Sequence, residues 1–186
     1  MGKCPENAQK RPNTGNMGIL EDLRLRVGAI ETGLRTGEMI RDVVVRHPDD
    51  ILELQRRQLF EGKASSGEDI RPYYSEDLKP SGYFHSVESA GRYAARKQNG
   101  INYPYSARRN PDAPNLYING KFHDEIGVRF GTTNVGIVPT TPYAAGIMAK
   151  YGINTFGLMM SNWLAIFTER NGYNELMLVI KTRLYV

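Results

Sequence analysis

Residues 116–138 read LYINGKFHDEIGVRFGTTNVGIV, and this stretch decides the fold class because its apolar residues alternate with a period of two. We interpret residues 116–118, 122–130 and 135–138 as strands. The Asn119-Gly120 pair is a strong hairpin signal, and a second turn separates the last two strands. The stretch therefore predicts a small antiparallel meander.

Helical periodicity precedes this stretch. Six apolar residues recur at intervals of one, three and four and therefore share one helix face: Ile19, Leu20, Leu23, Val27, Ile30 and Leu34. The pattern continues to about residue 46, and such a glycine-containing helix needs tertiary packing to persist. A second helix runs from Pro48, where two aspartates favour the helix dipole, to about Phe60, and Gly62 ends it. Its expected inward residues are Ile51, Leu52, Leu59 and Gln55. His47 is interpreted as a junction residue.

Helical signals also flank the meander. We expect a short helix over residues 87–98 with Ser86 as its cap, one over residues 143–150, and one beginning at Ser161. Residues 175–185 fit a helix face, with a strand as the alternative. Long N-terminal helices, a small antiparallel sheet and C-terminal helices together predict an α+β fold.

The length of 186 residues predicts one domain. Residues 1–16 are rich in turn formers and are expected to be an extended N-terminal arm, either disordered or ordered by a partner. Residues 17–186 form the α+β domain, with a loop-rich insert at about residues 76–115. So long a connection is typical of a functional or partner-bound loop.

Composition excludes several classes of protein. Apolar residues make up 40% and charged residues 24% of the chain, which is ordinary for a folded protein. We expect no membrane span, because no run of eighteen apolar residues occurs, and no secretory signal. The single cysteine, Cys4, excludes an intramolecular disulfide framework and a multi-cysteine zinc site.

The sequence contains no catalytic constellation that we consider specific. Phosphate-binding, dinucleotide-binding and nucleophile-elbow motifs are missing. His123, Asp124 and Glu125 come nearest to a metal or acid–base cluster, but adjacent strand residues point to opposite faces. We therefore interpret them as exposed hairpin residues, and we expect neither an enzyme, nor a cofactor, nor a bound metal.

One segment concentrates basic charge in a protein whose net charge is only +4. Its cations and aromatic rings interleave, and the candidate contact residues for a partner or for DNA are Arg92, Arg96, Lys97, Tyr103, Tyr105, Arg108 and Arg109. Such a mixture suits a protein interface, where Tyr and Arg are enriched. It also suits single-stranded nucleic acid, by stacking and phosphate neutralisation, or a solvated surface.

Three phrases of the sequence resemble a family of small virion proteins. Gln58-Leu59, Gly62, Gly67, Ile70, Pro72 and Tyr74-Ser75 form the first phrase. Residues 119–122 form the second, and residues 150–152 with residues 156–158 form the third. The chain is similar in these places to the tail-completion, or head–tail joining (neck), proteins of tailed bacteriophages, including phages and prophages of gut Bacteroidales.

The resemblance covers roughly residues 19–75 and 116–170. It implies a non-enzymatic structural protein of the virion, made in the host cytoplasm. Such a protein would assemble with itself into a ring around the DNA channel, against portal, connector or tail proteins and in possible contact with packaged DNA. Three features depart from the family pattern: Asn119 in place of Thr, the long basic segment 76–115, and the arm. The alternative from the basic segment 92–109 is a nucleic-acid-binding accessory protein.

Overall fold

The computed structural model describes residues 18–80, 82–100, 110–117, 120–132, 134–142 and 144–185. The expected arm over residues 1–16 lies outside the described residues. The regular elements are α1 (Ile19–Arg35), α2 (Glu38–Val44), α3 (Pro48–Phe60), α4 (Val87–Gly100), α5 (Lys121–Asp124), β1 (Ile126–Phe130), β2 (Val135–Pro139), α6 (Ala144–Tyr151), a 3-10 turn (Ile153–Thr155), α7 (Met160–Thr168) and α8 (Gly172–Tyr185). This is the α+β architecture that the sequence predicts.

The sheet is smaller than predicted. β1 and β2 form an antiparallel hairpin in which Val128 lies opposite Ile137, and they are the two sheet-forming strands of the described chain. Residues 116 and 117 do not form the expected first strand, because Leu116 has φ +54°, which an extended strand does not allow; residue 118 lies outside the described residues. The first residues of the expected second strand instead form the helical turn α5, which turns Phe122 and His123 into the interior.

The core lies between the hairpin and the helices α3 and α7. Ile51 and Leu59 on α3 are completely buried, as is Ile166 on α7. Ile126 of β1 and Ile137 of β2 close the cluster from the other side. The inward positions predicted on the second helix are therefore confirmed for Ile51 and Leu59. Gln55, a polar residue, is buried beside them.

The predicted long N-terminal helix is divided in two. Gly37 has φ +78°, a left-handed conformation that ends α1 and lets α2 begin at a new angle. Met39 of α2 is completely buried against Gly33 of α1, where a Cβ would lie 2.9 Å from the Met39 Cγ. The C-terminal helix packs here too, because Arg183 donates to Glu38 (2.8 Å) and to Asp42 (3.1 Å).

His47 lies at the junction between α2 and α3, as the sequence predicts. It is the N-cap residue of α3 and is almost fully buried. Its Nδ1 lies 2.8 Å from Asp50 Oδ2, and its Nε2 lies 3.4 Å from Glu175 Oε1. The imidazole therefore joins the first turn of α3 to α8.

Most of the remaining helix predictions are also confirmed. α4 begins after Ser86, whose Oγ accepts the backbone N–H of Ser89 (3.2 Å), a side-chain cap of the expected kind. α8 shows that residues 175–185 are helical. Ser161 is not the cap predicted for α7, because the helix already starts at Met160 after Met159.

Candidate interaction surfaces

The three phrases of the resemblance pack against one another. The side-chain amide of Gln58, from the first phrase, donates to the carbonyl of Gly157 (2.8 Å), which lies 99 residues later in the third. The side-chain oxygen of Gln58 accepts the backbone N–H of Met159 (2.8 Å), and Ser65 N–H donates to the Asn154 carbonyl (2.7 Å). These contacts fix the loop after α3 onto the loop before α7.

The second phrase reaches the same place through its aromatic residue. The ring centroid of Phe122 lies 6.0 Å from that of Phe156, and both rings pack on the core. Gly157 has φ +120°, and a Cβ there would lie 3.2 Å from the Ser65 Cβ. The phrase residues thus serve packing and close backbone approach.

The predicted basic contact segment is only partly within the described chain. Arg92 and Arg96 are exposed on α4, four residues apart and therefore on one face. Tyr103, Tyr105, Arg108 and Arg109 lie outside the described residues. α4 packs through Ala90 and Ala94, so its cationic face is directed away from the protein.

Lys97 must be removed from the predicted contact set, because the structure buries it. Its side chain is 6% exposed, and Nζ donates to Asn115 Oδ1 at 2.7 Å. The ammonium also lies 6.0 Å from the ring centroid of Tyr74 and 5.7 Å from that of Tyr93. A lysine held by an amide oxygen and two aromatic faces links α4 to the segment before α5. The helical repeat could not reveal this, because Lys97 differs from its exposed neighbours only in which side of α4 it occupies.

His123 is likewise not the exposed hairpin residue that the sequence suggests. It is 3% exposed, its ring meets Tyr117 edge-on at 5.2 Å between centroids, and Nε2 lies 3.0 Å from the Asn115 carbonyl. Burial lowers the pKa of His123 to about 4, helped by the nearby cations of Lys97 and Arg56 and opposed by the hydrogen bond with Asn115. A neutral imidazole in this position supports the fold.

A polar cleft of about 520 Å³ lies beside the loop after α3. Its acid is Asp69, which receives Lys63 Nζ (2.6 Å), Asn110 Nδ2 (2.6 Å) and the Tyr73 hydroxyl (3.1 Å). Burial alone would raise the pKa of Asp69, but these hydrogen bonds outweigh it and hold the pKa below its ordinary value. The carboxylate is thus occupied by the chain itself and anchors the loop.

The sequence shows an apolar stripe on α1, but only the structure shows that much of this stripe is exposed. Leu20 is 82% exposed and Val27 is 50% exposed, and Leu23 and Leu34 are also exposed. On α8, Tyr173, Leu178 and Tyr185 are exposed as well. The signal was present as a helical apolar stripe, but a stripe alone does not say whether the same chain covers it.

Searches against protein-family models, curated proteins and solved structures found no match to this chain. No helix in the described ranges combines the length and the apolar character needed to cross a membrane. Among those same residues, no group of three or more His, Cys, Asp or Glu side chains is placed to hold a metal ion.

Proposed function

We propose that this protein is a structural subunit of a bacteriophage virion, located at the head–tail junction. In this role it is a neck, tail-completion or connector component that assembles into a homo-oligomeric ring around the DNA channel. Its other neighbours are portal, connector or tail proteins. In this role the protein catalyses no reaction and serves only in particle assembly.

The observation that carries the proposal is the apolar surface left open at the N-terminal and C-terminal helices. α1 and α8 expose large apolar side chains along much of their length, including Leu20 and Leu178. Contiguous exposed apolar surface is characteristic of proteins that bury it against a partner. A ring buries such surface between neighbouring subunits through heterologous contacts.

The three phrases pack together within the domain. Gln58, Phe122 and Gly157 come from separate parts of the chain and meet around one loop junction. The proposal takes the phrases as one packing unit of a structural subunit.

Electron microscopy of particles tests the proposal directly. An antibody raised against the purified protein, applied to purified particles from a strain carrying this sequence, should label the junction between head and tail. Mass spectrometry of the same particles should detect the chain. A chain missing from intact particles, or labelling only along the tail or on the capsid faces, would contradict the assignment.

The nucleic-acid alternative rests on the two exposed arginines of α4. If Arg92 and Arg96 bind phosphates, changing both to Gln should reduce the log–log salt slope of duplex binding by about 2, because each phosphate contact contributes about 0.9. Arg129→Gln, at an exposed strand position, is the matched control. If the protein is a structural subunit, it should bind free DNA weakly, and neither the Arg92/Arg96 double variant nor the control should alter the salt slope.

A further inference from the structure

Five apolar side chains of α1 follow the spacing of a coiled-coil seam. Leu20, Leu23, Val27, Ile30 and Leu34 are separated by three, four, three and four residues, and all except the half-buried Ile30 are exposed. The side of α1 that packs within the chain is centred on the buried Gly33. At 3.6 residues per turn, the seam residues lie about 60–140° around the helix from Gly33, with Ile30 nearest and Leu20 farthest. The seam therefore lies beside the packed side of α1 and is most open at Leu20 and Val27.

Two charged residues of opposite sign, Arg24 and Glu31, border the open edge of this seam. Both are exposed, and neither forms an ion pair among the described residues. The charges on the opposite edge behave differently, because Arg26 donates to Asp22 at 2.8 Å. The open edge of the seam thus carries one cation and one anion that have no ion-pair partner within the described part of their own chain.

We infer that this face of α1 binds the α1 helix of a second copy of the chain in antiparallel orientation. In an antiparallel pair the same edges of the two helices lie side by side, with the residue order reversed. Arg24 then lies beside Glu31 of the partner subunit. Two-fold symmetry forms this pair twice. The edge that carries Arg24 and Glu31 is thus complementary in charge to its own reverse.

A parallel pair does not use these charges. It places opposite edges of the two helices together, so that the edge with Arg24 and Glu31 does not face its own copy. The seam runs from Leu20 to Leu34 within the 17-residue α1 and is about 22 Å long. Such a contact lies at the small end of specific interfaces, and we expect a dimer that forms reversibly with concentration.

This contact goes beyond the proposed ring. A two-fold contact pairs two subunits, whereas a cyclic ring needs heterologous contacts. Ring closure therefore uses the other part of the open apolar surface, the exposed side chains of α8 such as Tyr173, Leu178 and Tyr185. The α1 pair joins two free subunits or two subunits of facing rings. The inference does not depend on the virion assignment. A protein that forms the α1 dimer but is missing from particles would support the dimer and contradict the virion assignment.

Sedimentation equilibrium of the full chain at low salt provides the first test. Val27→Asp should weaken dimerisation at least tenfold, because it places a charge in the middle of the seam. Leu25→Asp is the matched control: it changes a residue of α1 that is 53% exposed, against 50% for Val27, but lies outside the seam. The control should dimerise like the natural protein. Equal loss in both variants, or a chain that stays monomeric at every concentration, would overturn the inference.

A charge swap tests the orientation. Arg24→Glu and Glu31→Arg should each weaken the dimer by about tenfold, since each turns two attractions into two repulsions, and the double variant should restore it. Arg129→Glu controls for net charge. A double variant no better than either single variant would contradict antiparallel pairing.

Spin labels provide a measurement that does not depend on affinity. With Cys4 changed to Ser, labels at residue 27 should lie close together across the two-fold axis. Labels at residue 20 should lie about 20 Å apart along the helix axis, because 14 residues rise 1.5 Å each. Short distances at both positions indicate a parallel pair and would overturn the antiparallel arrangement.

Discussion

Acidification from pH 7 to pH 4 should destabilise the folded protein through His123. The imidazole is 3% exposed, and Nε2 lies 3.0 Å from the Asn115 carbonyl. In the neutral ring Nε2–H donates this bond, while Nδ1 is buried and has no hydrogen-bond partner among the described residues. Burial disfavours a charge on the ring, and the nearby cations of Lys97 and Arg56 add to this, so the pKa of His123 falls to about 4.

The sign follows from the two pKa values. The unfolded chain has the ordinary histidine pKa of 6.5, and the folded chain has a pKa of about 4. Between these two pKa values the unfolded state binds a proton that the folded state does not bind, so the free energy of unfolding falls as the pH falls. Each pH unit changes the free energy of unfolding by about 1.4 kcal/mol, and the whole interval by about 3 kcal/mol. Above pH 6.5 His123 contributes no pH dependence.

Urea unfolding of the natural protein and His123→Phe at pH 7, 6, 5 and 4 measures this effect. The carboxylates titrate in both proteins and largely cancel in the difference. At pH 7 the variant should be less stable by about 1 kcal/mol, because it loses the hydrogen bond to Asn115. By pH 4 the order should reverse, since phenylalanine takes up no proton.

His85→Phe is the control, because that side chain is in solvent in the folded protein. The reversal of order expected for His123→Phe should not occur with this surface variant. A stability difference between His123→Phe and the natural protein that stays constant with pH would refute the reasoning. So would an NMR titration in which the His123 ring protonates above pH 6.

Three further predictions concern packing. Gly157→Ala should lower the free energy of unfolding, measured with urea, by at least about 1 kcal/mol, because φ is +120° and the new Cβ would press on Ser65. The control is Gly91→Ala, at an open position on α4, which should raise the free energy of unfolding by about 0.5–1 kcal/mol. Equal effects would contradict the strain argument. Gln58→Leu should lower the free energy of unfolding by about 2–4 kcal/mol, since it leaves buried backbone groups of the third phrase unpaired; a loss below about 1 kcal/mol would mean that water replaces the amide. Lys97→Met should lower the thermal midpoint and leave any DNA affinity unchanged, because the ammonium is buried; weakened DNA binding at unchanged stability would show that Lys97 reaches a ligand.

Local chemistry in the sequence determined most element boundaries. Pro48 starts α3 because its ring is already set for a helix, and Ser86 caps α4 with its hydroxyl. Gly62 ends the α3 region with φ +71°. The alternation of residues 126–130 and 135–138 gave the hairpin. Each of these signals acts within a few residues of the chain, so it can be recognised from the sequence without knowledge of the tertiary structure.

Tertiary structure decided which faces are covered. Leu116 and the turn α5 break the predicted meander because burying Phe122 and His123 favours a helical turn over a third strand. Lys97 is interior because Asn115 and Tyr74, both distant in sequence, and Tyr93, one turn earlier on α4, receive its ammonium. Residues 116–138, which decided the α+β class, could not reveal these contacts.

The face of α1 shows the same division. Periodicity determined that Leu20 and Val27 share a side of one helix, because that depends only on 3.6 residues per turn. Only the packing of α2 and α8 on the side of Gly33 decided that this seam stays open. The position of the apolar stripe on α1 follows from its own sequence, but the neighbouring helices determine which side of α1 is buried within the chain.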